Sequence, residues 1–192
     1  MEGSEAKTLD TFQSLSTPPG TGKKVLIERN RGVYGIRVTR NIAHMIVPIE
    51  NNENRNEQIL NIFKILAKAH VPIFLVKLHK LAISFGLADY DLPRAEKALE
   101  IPKLEFVNRS DLALVAIIAS SMRDLSGVMV QISDALARAG ATLYETGDSH
   151  SSVQCLIEEN RTDDAAEKLR EAFSLTEEAI QEWPLTHTSV SA

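Results

Sequence analysis

With 192 residues, the chain is long enough for one large or two small domains, and its 44% hydrophobic and 24% charged residues are typical of a globular protein. A formal net charge of −5, without a cluster of Lys and Arg, argues against a protein that mainly binds nucleic acid, because phosphate contacts need a basic face. No stretch approaches the roughly 18 apolar residues of a membrane span, and the single Cys155 can form no internal disulfide, so we expect a cytoplasmic protein without membrane contact.

Residues 1–22 are polar and have no sustained periodicity, which predicts a mobile tail. The sequence TPPGTGKK at 17–24 looks like a phosphate-binding P-loop. However, Thr17 stands where the first glycine belongs, Lys24 replaces the magnesium-binding Ser or Thr, and no strand precedes it. The five histidines show no metal-ligand spacing. We therefore predict no nucleotide site here, and no metal or cofactor.

The next part of the chain predicts the element order βαββαβ. Strands are expected at 24–28, 32–38 and 42–48, followed by a helix with Ile59, Ile62 and Leu66 on one face. Two more strands follow at 73–77 and 81–87, then a short helix capped by Asp91 and a strand at 104–107.

The same order then repeats at an offset of 70 residues. Apolar positions superpose pairwise: Met45 on Val115, Ile62 on Ile132, and Ile83 on Val153. Such a duplication predicts an α+β protein of two ferredoxin-like modules, each a four-stranded antiparallel sheet with two helices on one face.

The second copy lacks its fourth strand, because no strand pattern follows its last helix at 162–173. A bare sheet edge is a liability, and the spare strand at 33–38 is the natural partner for it. The first module would then be inserted into the second. The predicted division is a tail at 1–22, a linker and edge strand at 23–40, the first module at 41–108, the body of the second at 109–175, and a C-terminal tail at 176–192.

The loop between the strand at 112–119 and the helix beginning near Val128 is the leading candidate site. Its glycine, Gly127, lets the backbone turn sharply and approach a ligand just before free helical N–H groups begin. The alternative is that Arg123 and Asp124 are solvated turn residues and that Asp124 or Ser126 only caps the helix. Spacing alone does not separate these interpretations.

Four segments resemble the tandem ACT-domain regulatory region of aspartate kinases. They are VYGI at 33–36 ahead of AHMIV at 43–47, the loop and helix at 126–140, the strand VQCLIEE at 153–159, and the helix at 165–173. The likeness covers roughly residues 24–175. It implies two ACT domains with the first inserted into the second. An amino-kinase domain precedes this region in the family but not here, which implies a regulatory subunit or free-standing sensor and not an enzyme.

The resemblance also implies a ligand. Family members bind an amino-acid effector such as lysine or threonine where the first strand–helix loop of one ACT domain meets its partner. The matching positions here are Arg123, Asp124, Ser126, Gly127 and Val128 on the loop, with Asp148 and Ser149 after the next strand. The helix N-terminus suits the effector carboxylate, and Asp124 or Asp148 its ammonium.

The first module has no glycine at the corresponding positions 53–58, so we expect the second module to hold the ligand and the first to serve packing or dimer contacts or to have a changed specificity. A homodimer is expected, with an amino-kinase catalytic subunit as a possible partner. Two alternatives remain at this point. One is an acylphosphatase-like enzyme that uses Arg123 or Arg55 with the nearby asparagines, and the other is a structural dimerisation module or a nucleic-acid module. The low aromatic content of 5% argues against nucleic acid.

Overall fold

The computed structural model describes residues 32–122 and 125–185. The predicted N-terminal tail, the P-loop-like segment and the strand predicted at 24–28 lie outside them. The elements in chain order are β1 (Val33–Pro48), α1 (Arg55–Lys68), β2 (Phe74–Leu78), β3 (Ala82–Ala88), α2 (Leu92–Glu100), β4 (Val107–Ala119), α3 (Val128–Arg138), β5 (Glu145–Asp148), β6 (Ser152–Glu158), α4 (Thr162–Ala172) and β7 (Ile180–Glu182). No helix in the described ranges is long and apolar enough to cross a membrane.

One sheet runs through both modules in the order β2-β3-β1-β4-β6-β5, with β7 beside β1. The strands β1 and β4 pair antiparallel along most of their length, from Val33 opposite Ala119 to Ile46 opposite Val107. The second half of β1 also pairs with β3, and the second half of β4 pairs with β6. Each half of the sheet therefore has the ferredoxin-like strand order. As predicted, the start of β1 completes the second module, into which the first module is inserted.

The two long strands correct the prediction of four shorter ones. The segments predicted at 32–38 and 42–48 are one strand, and the strand predicted at 112–119 begins earlier, at Val107, so that only the last residue of the segment predicted at 104–107 is a strand residue. Each long strand changes phase in its middle, at Asn41 (φ 58°) and Asp111 (φ 56°), where the β1–β4 register also shifts. An irregularity of this kind bends a strand and moves its apolar positions to the other face, so the sequence pattern looks interrupted.

Three apolar cores follow from this geometry. The first-module core joins Met45, Phe85 and their neighbours to α1 and α2, and the second-module core joins Val115, Cys155 and their neighbours to α3 and α4. Because side chains alternate along a strand, the residues between these positions face away from the helices. The helix-free faces of the two half-sheets meet in an inter-module core, which contains Ile42, Leu112, Leu156, Phe74, Leu75, Leu114, Tyr144 and Leu185.

The segment after α4 contains a strand that the sequence analysis missed. Residues 180–182 form β7, which lies parallel to Ile36–Val38 of β1. The Trp183 N–H donates to the Val38 carbonyl oxygen (N···O 2.7 Å), and the Arg37 guanidinium lies 4.7 Å from the centre of the Trp183 ring. Three residues are too few to give a periodic pattern, so only these contacts identify the strand.

The predicted helix cap at Asp91 is also corrected. Asp91 does precede α2, but its side chain makes no capping hydrogen bond and forms an ion pair with Arg94 instead. Asp91 is buried, so the guanidinium supplies the partner that a buried carboxylate needs.

Gly86 in β3 leaves room for the ring of Phe74 on the helix-free face. A Cβ at position 86 would lie 2.7 Å from Phe74 Cε2 and 3.2 Å from Cζ. We expect Gly86→Ala to push Phe74 out of the inter-module core and to lower the free energy of unfolding in urea by about 1–3 kcal/mol. The matched control is Gly35→Ala in β1, where the new Cβ meets only ordinary contacts of 3.7 and 3.9 Å. Equal losses in the two variants would contradict this account.

Candidate functional site

The loop before α3 presents a helix N-terminus to solvent. Gly127 is the N-cap of α3 with φ 77°, a left-handed conformation that favours glycine, and it makes no side-chain capping bond. Its carbonyl oxygen accepts from the Val130 N–H (N···O 3.1 Å). The first N–H groups of a helix, here those of Val128 and Met129, have no intrahelical acceptor. Among the described residues these N–H groups have no acceptor, and a helix N-terminus of this kind suits an anion.

The turn between β5 and β6 forms the facing wall. It is held by Ser149, whose N–H donates to the Ser152 carbonyl oxygen (N···O 2.8 Å) and whose Oγ accepts from the Ser152 N–H (3.0 Å). The two walls are tied together where the Met122 N–H donates to the His150 carbonyl oxygen (N···O 2.8 Å). This backbone bond holds the start of the loop after β4 against the turn.

A cleft of about 780 Å³ lies between these walls. It brings together four of the seven predicted site residues: Gly127, Val128, Asp148 and Ser149. Ser126 is exposed in the same turn and lies outside the lining, while Arg123 and Asp124 fall outside the described residues. Sequence reasoning missed the remaining lining residues, which are Met122, Leu125, Met129, Val130, Thr146, Gly147, His150 and Val153. The alternation along β5, which places Thr146 and Asp148 on one face, was the available signal.

The two walls differ in polarity. Free N–H groups and the positive end of the α3 dipole face the cleft from one side, and the exposed carboxylate of Asp148 stands on the other. Between them lie the apolar side chains of Met122, Leu125 and Val153. A small zwitterion with a carboxylate and an ammonium group matches this arrangement.

The corresponding part of the first module has the same backbone but different side chains. The Ile49 N–H donates to the Leu81 carbonyl oxygen (N···O 2.9 Å), and 70 residues later the Ala119 N–H donates to the Ser151 carbonyl oxygen (N···O 2.9 Å). In the first module Arg55 also donates to the carbonyl oxygen of His79 (N···O 2.9 Å). A smaller cleft of about 480 Å³ at the start of α1 is lined, among the described residues, by that helix and Asn54 alone.

A buried polar cluster lies behind β5, on the face away from the cleft. Glu145 Oε2 accepts from Ser84 Oγ (2.9 Å) and lies 3.9 Å from His44 Nε2 and 3.8 Å from His79 Nε2. His44 is 7% exposed, and its Nε2 has no hydrogen-bond partner among the described residues. Burial lowers the pKa of His44 below its ordinary value of 6.5, against the attraction of Glu145 and with smaller repulsion from His79 and Arg109.

Comparison with known proteins adds a family match. Residues 108–171, which span β4 to α4, match the ACT domain family. The aspartokinase of Geobacillus stearothermophilus is 27% identical over 179 residues, which are 89% of this chain and 44% of the relative. The chain resembles the tandem ACT-domain regulatory region of aspartate kinases. It spans less than half the length of this curated relative.

Solved structures agree with the tandem ACT fold. The ligand-free regulatory subunit of aspartate kinase from Thermus thermophilus matches with a TM-score of 0.67 and 19% identity, over 74% of this chain and 98% of that one. Aspartokinase III of E. coli, solved in complex with lysine and aspartate, matches with a TM-score of 0.60 and 14% identity, over 75% of this chain and 34% of that one. At these identities the likeness establishes the fold.

The lowered pKa of His44 predicts a pH-dependent stability of the tandem ACT fold. The folded state takes up the His44 proton less readily than the unfolded state. The contribution of neutral His44 to the free energy of unfolding is therefore complete above pH 6.5 and is lost as the pH falls below 6.5 towards the lowered pKa. We expect the free energy of unfolding, measured in urea, to fall over this pH range, and we expect the fall to be smaller in His44→Gln. The control is His150→Gln, which changes an exposed histidine. An unchanged slope in His44→Gln would rule His44 out as the source.

Proposed function

We propose that the chain binds a small amino-acid effector in the second-module cleft and regulates an aspartate-kinase-type catalytic chain without being an enzyme itself. The observation that carries this proposal is the pairing, across one cleft, of the α3 N-terminus with the carboxylate of Asp148. The ACT family match over 108–171 supports a regulatory role.

The effector carboxylate is assigned to the N–H groups of Val128 and Met129. Gly127 allows this approach, because its left-handed backbone (φ 77°) favours glycine and no described atom lies within 4 Å of where a Cβ would be. Charge-assisted hydrogen bonds to backbone N–H groups at a helix start are strong and need no cationic side chain. Arg123, which the sequence predicts as a further ligand contact, lies outside the described residues.

The effector ammonium is assigned to Asp148, with Ser149 beside it. Asp148 is the only carboxylate among the described lining residues. A ligand with one ammonium group, such as threonine, needs no second carboxylate. Lysine needs a partner for its second ammonium, and the described lining residues contain no second carboxylate. Asp124, the other ammonium partner predicted from the sequence, lies outside the described residues.

The partners belong to the same proposal. Among the described strands, β2 and β5 end the sheet, and unpaired edges favour association, so we propose a homodimer. The catalytic partner is an amino-kinase chain, by resemblance to the aspartate kinases. A cytoplasmic location is proposed from the single cysteine, Cys155, which is a buried free thiol.

Calorimetric titration of the full chain with the twenty standard amino acids tests the proposal. We expect heat from threonine or lysine with one site per chain, because the helix of the second module begins after Gly127, where the first module has Glu57. Two equal sites per chain would contradict the assignment to the second module. Silence from all twenty at millimolar concentration would overturn the effector proposal.

Replacing Asp148 tests the ammonium assignment. We expect Asp148→Asn to weaken the affinity for the amino acid by roughly tenfold or more, because a hydrogen bond to a charged group contributes about 1.5–3 kcal/mol. Asp164→Asn on α4, outside the cleft lining, is the matched control and should leave the affinity unchanged. Equal affinities in both variants would exclude Asp148 as the ammonium partner.

A further inference from the structure

The strand β5 has two faces with different neighbours. Its register pairs Thr146 with Cys155 and Asp148 with Val153, both of which belong to the second-module core, so Thr146 and Asp148 point to the helix side and line the cleft. Glu145 pairs with Leu156 of the inter-module core and therefore points to the first module. A four-residue strand thus separates the cleft from the module interface.

The first module packs directly onto this strand through Leu75. A Cβ at Gly147 would lie 2.4 Å from Leu75 Cδ1, so the glycine lets β2 approach the backbone of β5. Leu75 has a positive φ of 50°, at a register shift between β2 and β3. A branched residue in the left-handed region is strained, and here the surrounding packing holds it against β5.

The second contact is the buried polar cluster at Glu145. It connects β5 to β3 through Ser84 Oγ, to the turn after β2 through His79, and to β1 through His44. Ser84 Oγ also lies 3.0 Å from His79 Nε2. The unpartnered Nε2 of His44, 3.9 Å from Glu145 Oε2, is a position where a small movement of β5 makes or breaks a hydrogen bond.

We propose that β5 couples the effector cleft to the first module, so that filling the cleft moves β5 against Leu75 and changes the protonation of His44. Such coupling is reciprocal. If a ligand in the cleft changes the proton affinity of His44 by a given factor, protonation of His44 changes the affinity of the cleft for that ligand by the same factor. The charged and titratable groups that face His44 are Glu145 on β5, His79 after β2, and Arg109 on β4. This coupling rests on the proposed effector site, but its test needs no amino acid.

The test fills the cleft covalently. Val130, on the first turn of α3, lines the cleft and is 73% exposed. The native Cys155 is fully buried and its pKa is raised to about 12 by burial, so N-ethylmaleimide should modify only the new thiol of a Val130→Cys chain. The titration of His44 is then followed by NMR of the histidine rings, with the resonance assigned from His44→Gln.

We expect the adduct at Val130→Cys to move the His44 midpoint by about 0.7 pH unit or more, which corresponds to roughly fivefold coupling. The matched control is Ile101→Cys, which is 78% exposed after α2 and outside the cleft lining; its adduct should leave the midpoint unchanged. An unchanged midpoint in the modified Val130→Cys chain, or an equal shift in the control, would overturn the coupling.

A second variant tests the route. Leu75→Ala in the Val130→Cys background removes the side chain that touches Gly147, so the adduct-induced shift should shrink by at least half. An undiminished shift would exclude the Leu75 contact as the route. Calorimetry of the unmodified chain reports amino-acid binding separately, so a chain that binds an effector without this shift would keep the proposed function and lose the coupling.

Discussion

The shared strands β1 and β4 are the constraint on which the rest of the structure depends. Each runs through both half-sheets, and each changes phase at one residue with positive φ, Asn41 or Asp111. The phase change places Val38 in the second-module core and Ala43 in the first-module core on the same strand. It also turns the helix-free faces toward each other. The second module takes its last strand from the start of β1, and the first module takes its last strand from the start of β4. Neither module therefore has a complete sheet without the other.

The duplication shows how one scaffold yields two different sites. The same backbone hydrogen bond is present in both copies: the Ile49 N–H donates to the Leu81 carbonyl oxygen, and the Ala119 N–H donates to the Ser151 carbonyl oxygen. The difference lies in side chains: in the first copy Arg55 donates to the His79 carbonyl oxygen, and Glu57 stands where the second copy has Gly127. Among the described residues, the start of α3 faces a cleft of about 780 Å³ that is lined from two sides, whereas the smaller cleft at the start of α1 is lined by that helix and Asn54 alone.

Sequence periodicity predicts the module architecture well, because core positions such as Met45 and Val115 repeat at a fixed offset and their burial requires the same fold twice. It fails at Asn41 and Asp111, since a phase change within a continuous strand looks like two strands. Four of the twelve described lining residues could be found from the sequence, among them Gly127 and Asp148, which carry recognisable chemistry. The apolar lining and the cluster of His44, Ser84 and Glu145 could not, because these residues meet only through packing between strands distant in sequence.

The position of β5 determines how an effector in the cleft would act on the first module of the same chain. A ligand shifts a conformational equilibrium only by its difference in binding free energy between two states. In this fold the side chains of Thr146 and Asp148 line the cleft, while the Glu145 side chain and the open face of Gly147 meet the first module. A displacement of β5 toward one of these neighbours changes the packing against the other, because interiors are close-packed and transmit strain. Besides the shared strands β1 and β4, the fold therefore connects the cleft to the first module through β5, at the contacts of Leu75 and Glu145.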